Sequence, residues 1–154
     1  MPLQGGHFLP AVARALRGRG ANDLFPRAAH PECALAGLWL AAGGWNEAHE
    51  ICQDIASPEG AYWHAIVHRQ EPDPQNAKYW FGQVGRHPIF EELGRLAAAI
   101  NRDNKLGLSG DWNPALFVDV CERAPGTANE DVAREVQQAE WNLLYAWCAR
   151  SGLR

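Results

Sequence analysis

The sequence predicts an all-α protein of seven or eight short helices in antiparallel pairs, arranged as a helical bundle or a short right-handed α–α superhelix. Apolar residues recur at helical spacing along the whole chain, and no stretch alternates in the manner of a half-buried strand. Most of the expected helix starts carry a side-chain cap, a following proline or both. Because 154 residues is the usual length of one domain, we expect a single all-α domain over residues 1–154.

Each of the first four predicted helices ends at a glycine or begins at a residue that can cap it. Gly18 ends the first and Gly43 ends the second, because glycine readily adopts the backbone conformations in which helices stop. Asn46 is the expected cap of the third helix, and Ser57, followed by a proline, is that of the fourth. The four predicted ranges are 10–17, 32–42, 46–55 and 58–69.

The remaining predicted helices begin in the same way. The fifth follows the cap Asp73 and ends near Gly85, and the seventh follows the cap Asn113, where Trp112 can pack onto Phe117. A capping-box pattern over residues 127–130 opens the last helix, and residues 113–150 are expected to cover the end of the helix stack. The predicted starts are Asp73–Pro74, His87–Pro88, Asn113–Pro114 and Thr127–Glu130.

Charge and hydropathy exclude two classes of partner. The formal net charge is −4 and the basic residues are dispersed, so the chain does not resemble a nucleic-acid-binding protein. No apolar run approaches the roughly 20 residues that cross a bilayer, and a membrane partner is not expected. Residues 1–22 carry three arginines and no acid, which fits either a targeting segment or, preferably, a packed first helix.

The cysteines indicate a reducing compartment. Each lies within an apolar helical pattern, and their spacing matches neither a disulfide framework nor a zinc knuckle. We therefore expect four reduced thiols and a cytoplasmic protein. They are Cys33, Cys52, Cys121 and Cys148.

A short internal repeat covers residues 32–85. Two segments align without gaps at an offset of 29 residues, so that Ala36 matches Ala65 and Ala48 matches Ala77. A small residue on each first helix thus precedes a small residue on the second by twelve positions, which favours close approach of the paired helices. This geometry resembles the tetratricopeptide helix pair, although that family repeats every 34 residues or so and its aromatic and proline positions are not met here.

A second resemblance lies in three runs within residues 62–90. They read Tyr-Trp-His-Ala-Ile-Val-His-Arg from Tyr62, Asn-Ala-Lys-Tyr-Trp-Phe from Asn76 and Gly-Arg-His-Pro-Ile-Phe from Gly85. Together they resemble a family of uncharacterised microbial proteins. That resemblance implies no catalytic role for any of these residues.

The histidines in the middle of the chain are the candidate metal ligands. His64 and His68 are four residues apart on one predicted helix, so their rings share a face at a distance of about 6 Å. Two imidazoles so placed can form one edge of a divalent-metal site, whose third ligand is open. The candidates for that ligand are Glu71, Asp73, His49 and His87.

Other readings of these histidines remain. In the repeat alignment they replace Leu35 and Trp39, so they can instead be buried and hydrogen-bonded between helices. An HExxH motif is absent, since Ala65 follows His64, and the metalloprotease interpretation fails.

Two functional hypotheses follow from these residues. The favoured one is a non-enzymatic binding module, in which stacked helix pairs present an aromatic and histidine-lined groove to a peptide or small ligand. The alternative is a small metal-binding protein or hydrolase centred on His64 and His68. Whether the protein is an enzyme and whether it forms oligomers are left open. The expected groove residues are Tyr62, Trp63, His64, His68, Arg69, Glu71, Asn76, Tyr79, Trp80 and His87.

Overall fold

The structure, a computed structural model, describes residues 2–152, and over this range the chain forms nine α-helices and no β-sheet. The all-α prediction is confirmed. Met1, Leu153 and Arg154, which belong to the predicted 1–154 domain, lie outside the described residues. The helices are α1 (Pro10–Leu16), α2 (Ala21–Leu24), α3 (Pro31–Ala41), α4 (Trp45–Gln53), α5 (Pro58–Gln70), α6 (Pro74–Val84), α7 (Phe90–Ile100), α8 (Pro114–Arg123) and α9 (Glu130–Ala149).

The additional helix is α2, a single turn that the sequence did not indicate. The backbone N–H of Gly20 donates a hydrogen bond to the Asp23 carboxylate at 3.1 Å, which closes the start of this turn. Four residues are too few to show a helical repeat of apolar positions, so periodicity alone could not reveal it.

Three of the predicted side-chain caps are confirmed. Ser57, Asp73 and Asn113 each accept a hydrogen bond from the backbone N–H three residues later, at 3.2, 3.3 and 3.0 Å respectively. A proline occupies the first turn of each of these helices, where its missing N–H costs nothing. The expected contact of Trp112 with Phe117 also forms, with ring centroids 5.1 Å apart.

Two predicted starts were wrong by one or two residues. Helix α4 already includes Trp45, so Asn46 lies inside its first turn and does not cap it. Helix α7 begins at Phe90 because the two preceding residues form a turn around His87, whose Nδ1 accepts the backbone N–H of Ile89 at 3.3 Å.

The predicted capping box at the start of the last helix was also wrong. Helix α9 begins at Glu130, with Asn129 at the N-cap position and without a side-chain cap. The Thr127 hydroxyl donates to the carbonyl of Ala124 and accepts the N–H of Asn129, while the Glu130 carboxylate accepts the N–H of Gly126 at 2.7 Å. The two side chains therefore stabilise the turn before the helix instead of its first turn.

The middle of the chain is a series of helices that pack in sequence order. Helix α3 packs against α4, α4 against α5, and α5 against α6. The four alanines of the proposed repeat, Ala36, Ala48, Ala65 and Ala77, are all fully buried. Side chains of this size leave room for helices to approach closely, which brings polar groups on α4, α5 and α6 within reach of one another.

Helix α9 connects two groups of buried apolar residues. The larger group is formed mainly by α3, α4, α5 and α6, and the C-terminal half of α9 contributes Leu144 and Cys148 to it. The smaller group lies between α7 and α8, where the N-terminal half of α9 contributes Ala133 and Val136. Leu3, from the segment before α1, is buried in this second group, so the N-terminal segment is packed onto the helices.

The four cysteine thiols are free and buried. Burial raises the pKa of Cys121 to about 12 and also raises the pKa of Cys52, while a hydrogen bond with Cys33, together with burial, raises the pKa of Cys148. These thiols are therefore protonated near neutral pH. Across residues 2–152 no helix has both the length and the apolar character needed to traverse a bilayer.

Candidate metal centre

Three histidines from two neighbouring helices meet at one point. His49 lies on α4, and His64 and His68 lie one turn apart on α5, so the packing of α4 against α5 brings the third ring to the other two. One ring nitrogen from each of the three residues lies within 4.8 Å of those of the other two. The closest approach joins the Nε2 atoms of His49 and His64, which are 2.9 Å apart.

The rings are fixed by stacking and by edge contacts. The rings of His64 and His68 are stacked, with centroids 4.9 Å apart and an interplanar angle of 22°. The ring of His49 meets both of them edge-on, at 4.5 and 5.3 Å. The indole of Trp80, on α6, also stacks on His64, with ring centroids 4.0 Å apart. The ring of His64 thus makes two stacked contacts, whereas His49 and His68 are partly exposed.

Two carboxylates approach the outer side of His68. Its Nδ1 lies 3.5 Å from Oε2 of Glu71 and 3.8 Å from Oδ2 of Asp73. The Asp73 carboxylate already accepts two hydrogen bonds from Asn76 at the start of α6, so Glu71 is the freer of the two acids. Neither contact is a hydrogen bond, since Nδ1 of His68 has no hydrogen-bond partner within residues 2–152, but both acids favour a proton on this nitrogen, which leaves Nε2 for another partner.

The electrostatics keep the imidazoles of His64 and His68 neutral near neutral pH. Burial lowers the pKa of His64 to about 4, and the neighbouring rings of His49 and His68 add to that effect. Burial also lowers the pKa of His68, although the carboxylates of Glu71 and Asp73 act in the opposite direction. Neutral imidazole is the form that binds metal ions, so these histidines need lose no proton to become ligands.

The donor set can hold a divalent transition metal. Imidazole nitrogens suit zinc, copper, nickel and iron, whereas calcium and magnesium prefer oxygen. Two nitrogens bound to one tetrahedral zinc ion lie about 3.3 Å apart. In the structure the Nε2 atoms of His49 and His64 are 2.9 Å apart, and all three ligand nitrogens lie within 4.8 Å of one another, so small shifts would give the zinc spacing. The buried Nδ1 of His64 has no hydrogen-bond partner within residues 2–152, so the two-histidine contact leaves this group incompletely satisfied.

The structure places three of the predicted groove residues in the core. Tyr62 and Trp63 are fully buried, and Arg69 is 1% exposed. The guanidinium of Arg69 forms a 2.5 Å ion pair with Glu140 of α9, and the Tyr62 hydroxyl donates to the same carboxylate at 3.1 Å. These residues therefore stabilise the contact of α5 with α9 and do not line a surface groove.

His87, one of the candidate third ligands, lies apart from the three-histidine cluster. Its Nε2 faces Oε1 of Glu59 at 3.7 Å, beside His30, whose Nε2 lies 3.4 Å from the same oxygen. The indole N–H of Trp147 donates to that oxygen at 3.0 Å. Because Nδ1 of His87 accepts the Ile89 N–H, the proton of the neutral ring is on Nε2, and this residue is unsuited to bind a metal.

The remaining predicted residues lie on or near α6. Tyr79 is 59% exposed and packs edge-on against Trp80, with ring centroids 5.4 Å apart. Lys78, also on α6, pairs with Asp119 of α8 at 2.6 Å. Asn76 bonds to Asp73 in the N-terminal turn of α6. Of the predicted residues, the structure therefore groups Trp80 and Glu71 with the histidines.

Two buried acids were not predicted. Glu59 is 7% exposed and Glu140 is fully buried, and each organises contacts among several helices. The signal for Glu140 was its position four residues after Val136 and four before Leu144, in the middle of an apolar face of α9. An acid at such a position needs a buried partner, although the pattern does not say which one.

Comparison with known proteins does not assign a family. No protein-family model matches the chain, and neither the curated proteins nor the solved structures contain a match. The resemblances to the tetratricopeptide helix pair and to a microbial family remain predictions. Function is therefore inferred from the geometry of the chain itself.

Proposed function

We propose that this protein binds one divalent transition-metal ion, zinc foremost, with His49, His64 and His68 as its ligands. The observation that supports the proposal is the convergence of three imidazole nitrogens within 4.8 Å of one another. Two of these histidines come from adjacent turns of α5 and the third from α4, so a bound metal would link the two helices.

The roles of the ligands follow from their hydrogen-bonding atoms. His49 and His64 already face each other through Nε2, the atoms that a shared metal would separate slightly. His68 would bind through Nε2 while its Nδ1–H points to Glu71, which is the carboxylate–histidine–metal arrangement found in many zinc proteins. The partly exposed rings of His49 and His68 supply the small rotation required, whereas stacking on Trp80 keeps His64 in place.

Three protein ligands leave one tetrahedral position for water or a small molecule. A hydrolase would also need a cavity for its substrate beside that position. The three cavities described within residues 2–152 are lined by other residues. The proposal is therefore limited to metal binding.

A metal titration tests this proposal. Protein freed of metal with a chelator should bind one zinc ion by calorimetry, and elemental analysis after dialysis should give the same stoichiometry. A His49→Gln/His68→Gln double variant should lose this binding, because one ligand cannot hold the ion alone. His7→Gln is the matched control, since His7 is exposed and lies outside the cluster.

Stability gives an independent measure of the same binding. At a free zinc concentration of about 100 times Kd, the free energy of unfolding should rise by roughly 3 kcal/mol in the wild type and in the His7→Gln control. Glu71→Gln should weaken binding about tenfold or more, because the carboxylate orients His68. The proposal is refuted if zinc binds the double variant as well as the wild type, or if neither binds it stoichiometrically.

If the protein is a binding module, its groove has to lie somewhere other than at the predicted aromatic residues. Of its aromatic groove residues, Tyr62 and Trp63 are buried, and Tyr79 alone is largely exposed. A cavity on another part of the molecule offers the concave surface that this hypothesis requires.

A further inference from the structure

A cavity of about 550 Å³ lies between the N-terminal segment, the end of α3 and the exposed side of α9. This volume is within the range of roughly 300–1,000 Å³ typical of small-molecule sites. We infer that the cavity binds a small carboxylate that has an apolar body, a binding function separate from the metal centre. The residues that support this inference are Leu9, Leu40, Trp141, Gln70 and Arg134.

The N-terminal wall of the cavity is held in place by the backbone. The N–H of Gly5 donates to the carbonyl of Gln70 at 3.1 Å, and the N–H of Leu9 donates to the carbonyl of Ala42 at 2.8 Å. Gly43 has a φ of +77°, and a Cβ at this residue would lie 2.6 Å from the carbonyl oxygen of His7. The close approach of the two backbones thus requires glycine, and the cavity is a built feature of the fold.

The two sides of the cavity differ in chemistry. Leu9, Leu40 and Trp141 provide apolar surface, which suits an alkyl or aromatic body. Arg134 provides hydrogen-bond donors, and the buried side-chain amide of Gln70, which donates one N–H to the carbonyl of Pro2 at 3.4 Å, has a second N–H. Among the described residues that line the cavity there is one arginine, Arg134, and no acid, so a ligand carboxylate would meet a cation there and no carboxylate of the lining would repel it.

Arg134 can exchange its present partner for a ligand carboxylate. It pairs with Glu130 at 3.2 Å, four residues earlier on α9, and its side chain is 46% exposed. Exposed pairs of this kind contribute little free energy, because water screens both charges. A carboxylate that enters the cavity can accept two parallel hydrogen bonds from the guanidinium, which is the geometry that arginine favours.

The cavity and the metal centre occupy different sides of α5. His68 and Gln70 are two residues apart, which corresponds to about 200° around the helix axis. Binding at the cavity can therefore be tested without metal, and its outcome is independent of the metal proposal.

Three probes that share one apolar body test the inference: phenylbutyrate, phenylbutanol and phenylbutylamine. Phenylbutyrate should shift the indole N–H resonance of Trp141 and the methyl resonances of Leu40, since both residues line the cavity. Phenylbutanol should bind about tenfold more weakly and phenylbutylamine more weakly still, because only the carboxylate pairs with the guanidinium.

Two arginine variants show which residue recognises the carboxylate. Arg134→Met should weaken binding of phenylbutyrate about tenfold and leave phenylbutanol unaffected. Arg95→Met is the matched control, because Arg95 also pairs with an acid within one helical turn, on α7, but lies outside the cavity. The inference is overturned if phenylbutyrate leaves Trp141 and Leu40 unshifted, if the amine binds as tightly, or if both variants weaken phenylbutyrate equally.

Discussion

The buried ion pair between Arg69 and Glu140 provides the most direct test of how α5 and α9 are held together. Both side chains are completely inaccessible to solvent, and they approach to 2.5 Å. The Tyr62 hydroxyl donates to the same carboxylate at 3.1 Å. The Arg69 guanidinium also lies over the ring of Phe117, 4.8 Å from its centroid. Replacing Glu140 by glutamine preserves the size of the side chain and removes its charge.

The expected loss of stability in Glu140→Gln follows from the environment in which Arg69 is left. Burial opposes the charge on Arg69, and the Glu140 carboxylate more than compensates, so that the pKa of Arg69 is raised. Without that carboxylate the guanidinium is a buried charge with no counter-charge, and its Nε and one terminal nitrogen already have no hydrogen-bond partner within residues 2–152. Breaking a buried pair in this way costs about 3–5 kcal/mol, a large part of the roughly 5–15 kcal/mol that stabilises a typical domain.

Urea unfolding followed by circular dichroism measures this loss. Glu140→Gln should lower the free energy of unfolding by about 3–5 kcal/mol, and Tyr62→Phe by about 1–3 kcal/mol, since it removes one hydrogen bond to a charged group. The double variant Arg69→Met/Glu140→Leu should be more stable than Glu140→Gln, because no charge is left buried alone.

The reasoning is refuted if Glu140→Gln costs less than about 1 kcal/mol, which would mean that solvent reaches Arg69. It is also refuted if the double variant is the less stable of the two, because packing, and not the unpaired charge, would then dominate.

Two further predictions concern packing and pH. Gly37→Ala should destabilise the protein by about 1–3 kcal/mol in spite of the better helix propensity of alanine, because a Cβ at Gly37 would lie 2.8 Å from the Trp63 ring. Gly82→Ala is the control on α6, where a Cβ would have no atom within 4 Å. This variant should stabilise the protein by up to about 1 kcal/mol. If urea unfolding showed the same loss of free energy of unfolding for both variants, the role of Trp63 would be disproved. The pKa of Glu59 is below its usual 4.5, since burial, which raises it, is outweighed by the indole N–H of Trp147 and other partners. Its ionised form therefore stabilises the fold above that pH, and this contribution is lost as the pH falls through the lowered pKa. Glu59→Gln should cost about 1–2 kcal/mol near neutral pH and progressively less as the pH falls below 4.5, and a difference that is constant with pH would contradict this assignment.

The helix starts show which local features the sequence could predict. Ser57, Asp73 and Asn113 cap their helices as expected, because a capping hydrogen bond joins atoms only three residues apart. The start of α9 was wrong because the hydroxyl of Thr127 bonds to Ala124 in the preceding turn. Both arrangements are compatible with the same short pattern, and their relative stability depends on surroundings that the pattern does not contain.

Part of the candidate metal site could likewise be predicted from the sequence, and part could not. The helical spacing of His64 and His68 predicted that their rings share one face, and the structure places them 4.9 Å apart. The sequence left four candidates for the third ligand. Two of them are histidines: His49, which precedes α5 in the chain, and His87, which follows it. The packing of α4 against α5 brings His49 to the cluster, while His87 lies beside Glu59.

By itself the sequence determined the all-α class, the helices that begin at caps and prolines, and one edge of the histidine cluster, because these depend on atoms within a few residues of one another. Only the tertiary structure decided that His49 completes the cluster, that Arg69 meets Glu140 in the core, and that the N-terminal segment forms one wall of a cavity. Such contacts join residues far apart in the chain. They depend on how each helix is rotated and crossed against its neighbours, which no local pattern of residues specifies.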